Sequence, residues 1–289
     1  MKCAAECAVC AVNGLNRILN RFVPDEKDRI HEMQAMLKYL YEFDYAQSPP
    51  QILRYLCNIT PRLTGGRDGY AEQRSIDNQN MLKKYDDFFE KVRQHPDPLR
   101  AAVLLAICGN IIDYTPSHGL DMDTVVQNAM NSDLTIDHVD EMLRVLSQAE
   151  NVLYLLDNAG EIVADKLLLE LLIEKGILKP NQVTAVVRGL PTLNDATMED
   201  AREVGLTGLV NVIGNGDNVP GTELDHCSQN FIEHYEKADV VIAKGMGNFE
   251  SLHHIKDKKI FFLLTSKCNN VTRALGVPLQ SFVCKASYL

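Results

Sequence analysis

Val152-Leu153-Tyr154-Leu155-Leu156-Asp157-Asn158-Ala159-Gly160-Glu161 is the stretch whose reading decides the fold. An apolar run of strand length meets a polar, glycine-containing cluster, and Ile162-Val163-Ala164-Asp165-Lys166-Leu167 continues at once with helical spacing. The same unit recurs through the second half of the chain. Strands are predicted over 152–156, 183–187, 209–213, 240–243, 260–264 and 281–284, separated by helices near 162–175, 196–204, 224–236, 247–255 and 269–275. This alternation implies an α/β fold: a Rossmann-like, mostly parallel sheet with helices on both faces. In such sheets ligands bind at the carboxyl ends of the strands, so function is sought there.

Upstream the period changes. Ile30, Met33, Leu37, Leu40 and Tyr41 follow helical spacing, as do Leu99, Val103, Ala106 and Ile107, with Pro49-Pro50, Pro61 and Pro96 to Pro98 as punctuation. Two units are therefore expected: an all-helical lobe over 1–145 and an α/β metal- and phosphate-binding lobe over 146–289.

Composition narrows the classes. The 289 residues are 46% apolar, enough for a large core. A net charge of -10 with no basic block argues against a nucleic-acid partner. No apolar run is long enough for a membrane span or a secretory signal, and eight cysteines are too sparse for a disulfide scaffold, so a cytoplasmic protein with reduced thiols is expected.

The strand tips carry the chemistry. Asp157 and Asn158 are hard oxygen donors suited to Mg²⁺ or Mn²⁺, and the helix start that follows offers free N–H groups to an anion. The plainer reading is that Asn158 and Glu161 only cap that helix. The next tip, Arg188-Gly189-Leu190-Pro191-Thr192-Leu193-Asn194-Asp195, supplies a second carboxylate one crossover away, able to join Asp157 on one ion unless Asp195 is itself a cap. Arg188 could pair with an acid or position a substrate anion. Gly214 to Gly221 forms a glycine-rich loop without the dinucleotide spacing, and no P-loop is present. Lys244-Gly245-Met246-Gly247 places a cation and backbone amides at a further tip, a phosphate site if it is not a solvated surface charge. Together these tips favour metal-assisted phosphoryl chemistry.

These strings, with Asn194-Asp195-Ala196-Thr197, Gly247-Asn248-Phe249-Glu250 and Gly109-Asn110-Ile111-Ile112-Asp113, resemble the damage-control phosphatases, long known as domain of unknown function 89. The resemblance spans nearly the whole chain, and Cys7-x-x-Cys10 is similar to the start of the prokaryote-type subfamily. It implies a divalent metal (Mg²⁺ or Mn²⁺, with Ni²⁺ and Co²⁺ as further candidates) on Asp157, Asn158 and Asp195. By the same likeness Glu161, Arg188, Lys244 and Gly245 would face the substrate phosphate, with Asn110 approaching from the helical lobe. The expected substrate is a small phosphorylated metabolite such as a sugar phosphate, a phosphorylated cofactor intermediate or a damaged form of one. Asp157, Asp195 and Lys244 are the expected catalytic residues. Ala159 stands where a dehalogenase-type enzyme would carry a second aspartate, which favours a metal-activated water over Asp157 as nucleophile. Arg74 and Gly69 depart from the lysine and proline that the likeness leads one to expect.

Cys3, Cys7 and Cys10 also fit the spacing of a cluster- or zinc-binding motif, although no fourth ligand is evident and the context is helical. Two competing classes remain: an S-adenosylmethionine-dependent methyltransferase, which would leave the carboxylates unexplained, and a non-catalytic metal or Fe–S module built on those cysteines.

Overall fold

The structure, a computed structural model, describes residues 1–112 and 122–289, and gives the backbone alone for 110–112, 122, 123 and 125. Its centre is a sheet of seven strands: β1 (Ile136–Asp137), β2 (Val152–Leu155), β3 (Val183–Val187), β4 (Asn211–Gly214), β5 (Val240–Lys244), β6 (Ile260–Thr265) and β7 (Phe282–Ala286). They lie in the order β1-β7-β6-β5-β2-β3-β4, and every pairing is parallel except β6 with β7. Strand order reverses beside β2, which carries the Asp157 tip, so the chain crosses over on both sides of it.

Helices cover both faces, as the alternating sequence requires. Tyr154, Ala185, Ile242 and Leu263 pack on one side with helices α5 (Tyr85–Gln94), α6 (Pro98–Ile112), α8 (Val139–Leu146) and α9 (Glu161–Glu174). Their alternates Leu153, Val186, Val241 and Leu264 pack on the other with α11 (Gln229–Lys237), α12 (Gly245–Leu252) and α13 (Asn269–Leu275). A third cluster joins α1 (Ala5–Phe22), α2 (Glu26–Glu42) and α3 (Pro49–Leu63) around Leu15, Ile18, Met36 and Ile52. The cores thus do not follow the division expected at residue 145, because α5 to α8 belong to the core of the sheet and β1 extends its edge.

Two expected boundaries move for physical reasons. Strand β4 starts at Asn211 because Leu206–Gly208 closes a 3₁₀ turn in which Leu209 and Val210 donate back to the Leu206 carbonyl. The helix expected over 224–236 divides into a short turn and α11, whose first turn is capped by the Ser228 hydroxyl. Strand β7 returns antiparallel to β6, with Phe282 opposite Thr265 and Ala286 opposite Phe261.

Helix α6 shows little amphipathic character because it is buried on all sides, between α5, α7 (Met122–Met130), α9 and the sheet. It comes closest to α9 at Gly109, where a Cβ would lie 2.9 Å from Glu161 Cγ and 3.0 Å from Glu161 Cα. That close approach sets the first turn of α9 against the strand tips. Among the described residues no helix is long and apolar enough to cross a membrane.

Candidate active site

The Asp157 tip is paired along its backbone, which is why it holds its shape. Leu156 donates to the Val186 carbonyl (3.0 Å), Ala196 donates to Asp157 (2.8 Å), and Ala159 donates to Asn194 (2.9 Å). Asn158 and Asp195 thereby form an antiparallel bridge. The two carboxylates meet because the loop after β3 doubles back along the end of β2, a tighter device than two neighbouring strand tips.

Two residues that sequence reasoning did not place hold this loop. Arg74 donates to the carbonyl of Leu193 (3.1 Å), whose φ is positive (50°), and it also binds Asp200 (2.9 Å) and Asp68 (2.5 Å). Asn78 accepts from Gly160 N–H (2.7 Å) and donates to Asp200 (2.9 Å) and Glu203 (3.0 Å), tying the start of α9 to α10 (Met198–Glu203). Arg74 stands out in the sequence only as a departure, and Asn78 gives no signal there at all. Capping falls to other residues: Thr197 with Asp200 caps α10, and Gly160 stands at the N-cap of α9 without a side-chain bond. Asp195, Asn158 and Glu161 are free of that role.

Arg188 sits behind the carboxylates. Its Nε donates to Asp195 (2.6 Å), Nη1 donates to the Gly221 carbonyl (2.7 Å), and Nη2 lies 3.6 Å from Asp157. Of the two roles open to it, pairing with acids is the one this geometry displays. Burial pushes the Asp157 carboxyl well above the usual range, reinforced by Asp195 and Glu161 and only partly offset by Arg188 and Lys244. Asp195 is likewise raised by burial, against the pull of Arg188.

Lys244 is where expectation fails. It is fully buried, with its three N–H groups directed to the Ala106 carbonyl (2.8 Å), Glu161 (2.5 Å) and Asp165 (2.6 Å). Burial alone would lower its pKa, but Asp165 and Glu161 hold it above the ordinary lysine range. The reason is strand alternation: Val240 and Ile242 face the α6–α9 side, and Lys244 follows in the same phase. It neither reaches a phosphate directly nor sits in solvent. Tyr154 completes the knot by donating to Asp165 (2.6 Å).

A cavity of about 220 Å³ opens above these groups, with Asp157, Asn158, Glu161 and Asp195 along its floor. The first turn of α12 forms one wall, and Lys267 another. Lys267 follows the tip of β6 at a position equivalent to the other clusters, so strand-tip logic applied once more would have found it. Gly245 lies so close to Asp157 that a Cβ there would sit 2.0 Å from Oδ2, and its φ is 76°. Asn110 was expected here, but its side chain lies outside the described residues, as does His118.

The donor set fits a hard divalent ion. Three buried carboxylates, Asp157, Asp195 and Glu161, face one another, while the cations nearest them, Arg188 and Lys244, already hold acids. Asn158 donates its Nδ2 to Asp157 (2.9 Å), and no described hydrogen bond reaches its Oδ1. Among the described residues no three His, Cys, Asp or Glu side chains are arranged as a metal site, so an ion here would rest on two carboxylates, the amide oxygen and non-protein ligands. The same observation applies to Cys3, Cys7 and Cys10.

Two outcomes follow from this geometry. Gly245→Ala should cost tenfold or more in kcat/KM, about 1.4 kcal/mol or more, with the circular dichroism spectrum unchanged, since the added carbon displaces the Asp157 carboxylate. Lys244→Met should lower the urea-unfolding free energy by about 3–5 kcal/mol, because Glu161 and Asp165 would be left buried without their cation.

Comparison with known proteins agrees with this geometry. Residues 3–283 match the family model described as the damage-control phosphatase ARMT1-like domain. The chain is 35% identical to a damage-control phosphatase of Pyrococcus horikoshii, over 98% of each chain. It is 33% identical to one of Archaeoglobus fulgidus, over 92% of each. It superposes on the crystal structure of a domain-of-unknown-function-89 protein of Pyrococcus horikoshii with a TM-score of 0.88, at 34% identity, covering 99% of both. The Rossmann-like sheet, the ordered strand-tip motifs and these likenesses reach one conclusion: this chain belongs to the damage-control phosphatase ARMT1-like family.

Proposed function

We propose that this chain hydrolyses phosphate monoesters of small metabolites in the cleft above Asp157, Asn158 and Asp195. The observation that carries the reading is the convergence of those three oxygen-bearing side chains on a small cavity that a helix start and Lys267 also line. A cavity of about 220 Å³ suits a compact ester such as a sugar phosphate or a phosphorylated cofactor intermediate, damaged forms included. The family relationship removes the basis for the methyltransferase alternative.

Asp157, Asn158 and Asp195 would hold a divalent ion, and the hard oxygen set favours Mg²⁺ or Mn²⁺, with Ni²⁺ and Co²⁺ also compatible. Such an ion, when bound, would neutralise phosphate charge and make a nucleophile available near neutral pH. Everything else is the work of the chain. The amides of Gly245, Met246 and Gly247 open α12, where the first N–H groups of a helix lack partners within it and can receive phosphate oxygens. Lys267, which also lines the cavity, adds positive charge. Arg188 keeps the Asp195 carboxylate in one orientation, and Lys244 does the same for Glu161. Leu53, Ile107 and Leu264 line the rest of the cleft and exclude water from its apolar side.

The test is a screen of phosphometabolites against several divalent ions. Asp157→Asn and Asp195→Asn should each reduce kcat/KM by about a hundredfold or more, roughly 2.7 kcal/mol, and weaken the response to metal. If both retain wild-type turnover while folded, the assignment of the site is wrong. Lys267→Ala should raise KM by about tenfold with a smaller effect on kcat; an unchanged KM would remove Lys267 from phosphate binding.

A further inference from the structure

A second cavity, of about 150 Å³, lies where helices α1 and α3 meet α12 and the start of α13. Leu53, Met246 and Glu250 belong to its walls and to those of the catalytic cleft, so the two spaces abut along α3 and α12. Ile52 and Cys268 extend the apolar lining away from the cleft. Glu6, also on the wall, is already paired with Arg273 (2.7 Å). An apolar cavity of roughly this size can hold a single six-membered ring.

One polar group stands at the junction. Glu250 follows Met246 by four residues on α12, which places it on the same face of that helix and about 6 Å farther along its axis. Its backbone carbonyl accepts from the amino group of Met1, while no hydrogen bond or ion pair from a described residue reaches its carboxylate. The residue is half-buried, and its neighbours on both walls are apolar. An acceptor in that setting forms a stronger hydrogen bond than one in open water, and it is left wanting a donor.

Granted phosphate hydrolysis above Asp157, as proposed in the preceding subsection, we infer that the second cavity receives the alcohol part of the ester, and that Glu250 selects an alcohol whose apolar ring carries a hydroxyl or amine donor. With the phosphate at the first turn of α12, the ester follows that helix past Met246, lays its ring against Ile52 and Leu53, and donates to Glu250. A carboxyl group offers an acceptor oxygen in either protonation state, so the contact does not depend on its charge. Glu250 touches no reacting atom; it determines which ester binds. Compact esters fill the cleft alone and bind less tightly.

The probes are ethyl phosphate, benzyl phosphate and the meta-hydroxymethyl derivative of benzyl phosphate, whose leaving alcohols are similar in acidity and differ in what they place in the second cavity. The full-length wild type should favour benzyl over ethyl phosphate by about tenfold in kcat/KM, and the hydroxymethyl ester over the benzyl ester by about a further fivefold, both chiefly through KM. Glu250→Leu should abolish the second preference and keep the first, whereas Glu250→Gln, which retains an acceptor oxygen, should keep part of the second. Cys268→Phe, which fills the space, should abolish the first. Hydrolysis without a preference for the ring, or a hydroxymethyl preference that survives Glu250→Leu, would overturn the inference while leaving the phosphatase reading intact. Ligand-observed NMR with the free diol product reads the cavity without turnover. Binding of that diol, lost in Cys268→Phe, beside a failure to hydrolyse any of the esters would count against the phosphatase reading alone; no binding and no hydrolysis would overturn both. The wild-type comparisons decide the matter even if a variant fails to fold.

Discussion

The buried ammonium of Lys244 is the interaction on which the arrangement of this molecule depends. It leaves the end of β5, passes between α6 and α9, and joins a helix carbonyl to two carboxylates in one place. Taking such a charge out of water costs several kcal/mol unless its partners replace the lost solvent. Here all three N–H groups are satisfied, and Tyr154 adds a further donor to Asp165. The knot fixes the rotation of α9 about its own axis, and so fixes where Glu161 stands relative to Asp157 and Asn158 one turn earlier.

A second layer of charge does for the loops what Lys244 does for the helices. Arg188 grips Asp195 and reaches toward Asp157, while Arg74 grips the carbonyl at the turn that delivers Asp195. Two like-charged carboxylates would otherwise repel, and burial raises the protonation range of both, with the Asp195 charge adding to it at Asp157. The antiparallel bridge between Asn158 and Asp195 keeps them together through backbone bonds that do not depend on charge. The carboxylates are therefore held together by the chain's own backbone bonds and guanidinium groups.

Much of the fold was legible in sequence because strand-to-helix alternation is a local property. The strand over 183–187 and the helix over 269–275 form as read, and the 152–156 and 240–243 runs miss by one residue. What could not be read was direction and company. The antiparallel pairing of β7 with β6 and the union of α5 to α8 with the sheet core both follow from packing between elements, not from local pattern. Lys244 looked like a rim cation because a lysine beside two glycines at a strand tip has that appearance; only the phase of β5 against its neighbours shows which face it enters.

By itself the sequence determined the residue types at each strand tip, and with them the chemistry: hard oxygens, a guanidinium, lysines and glycine-rich helix starts. The tertiary structure alone decided which of these share a space. It brought Asp195 against Asn158 by a returning loop, gave Lys244 to the interior and Lys267 to the cleft, and gathered Cys268 beside Cys7. The physical reason is that residue type and short-range period fix local conformation and chemical capacity. Proximity between distant segments, and the burial that sets charge state, depend on how elements pack around one core.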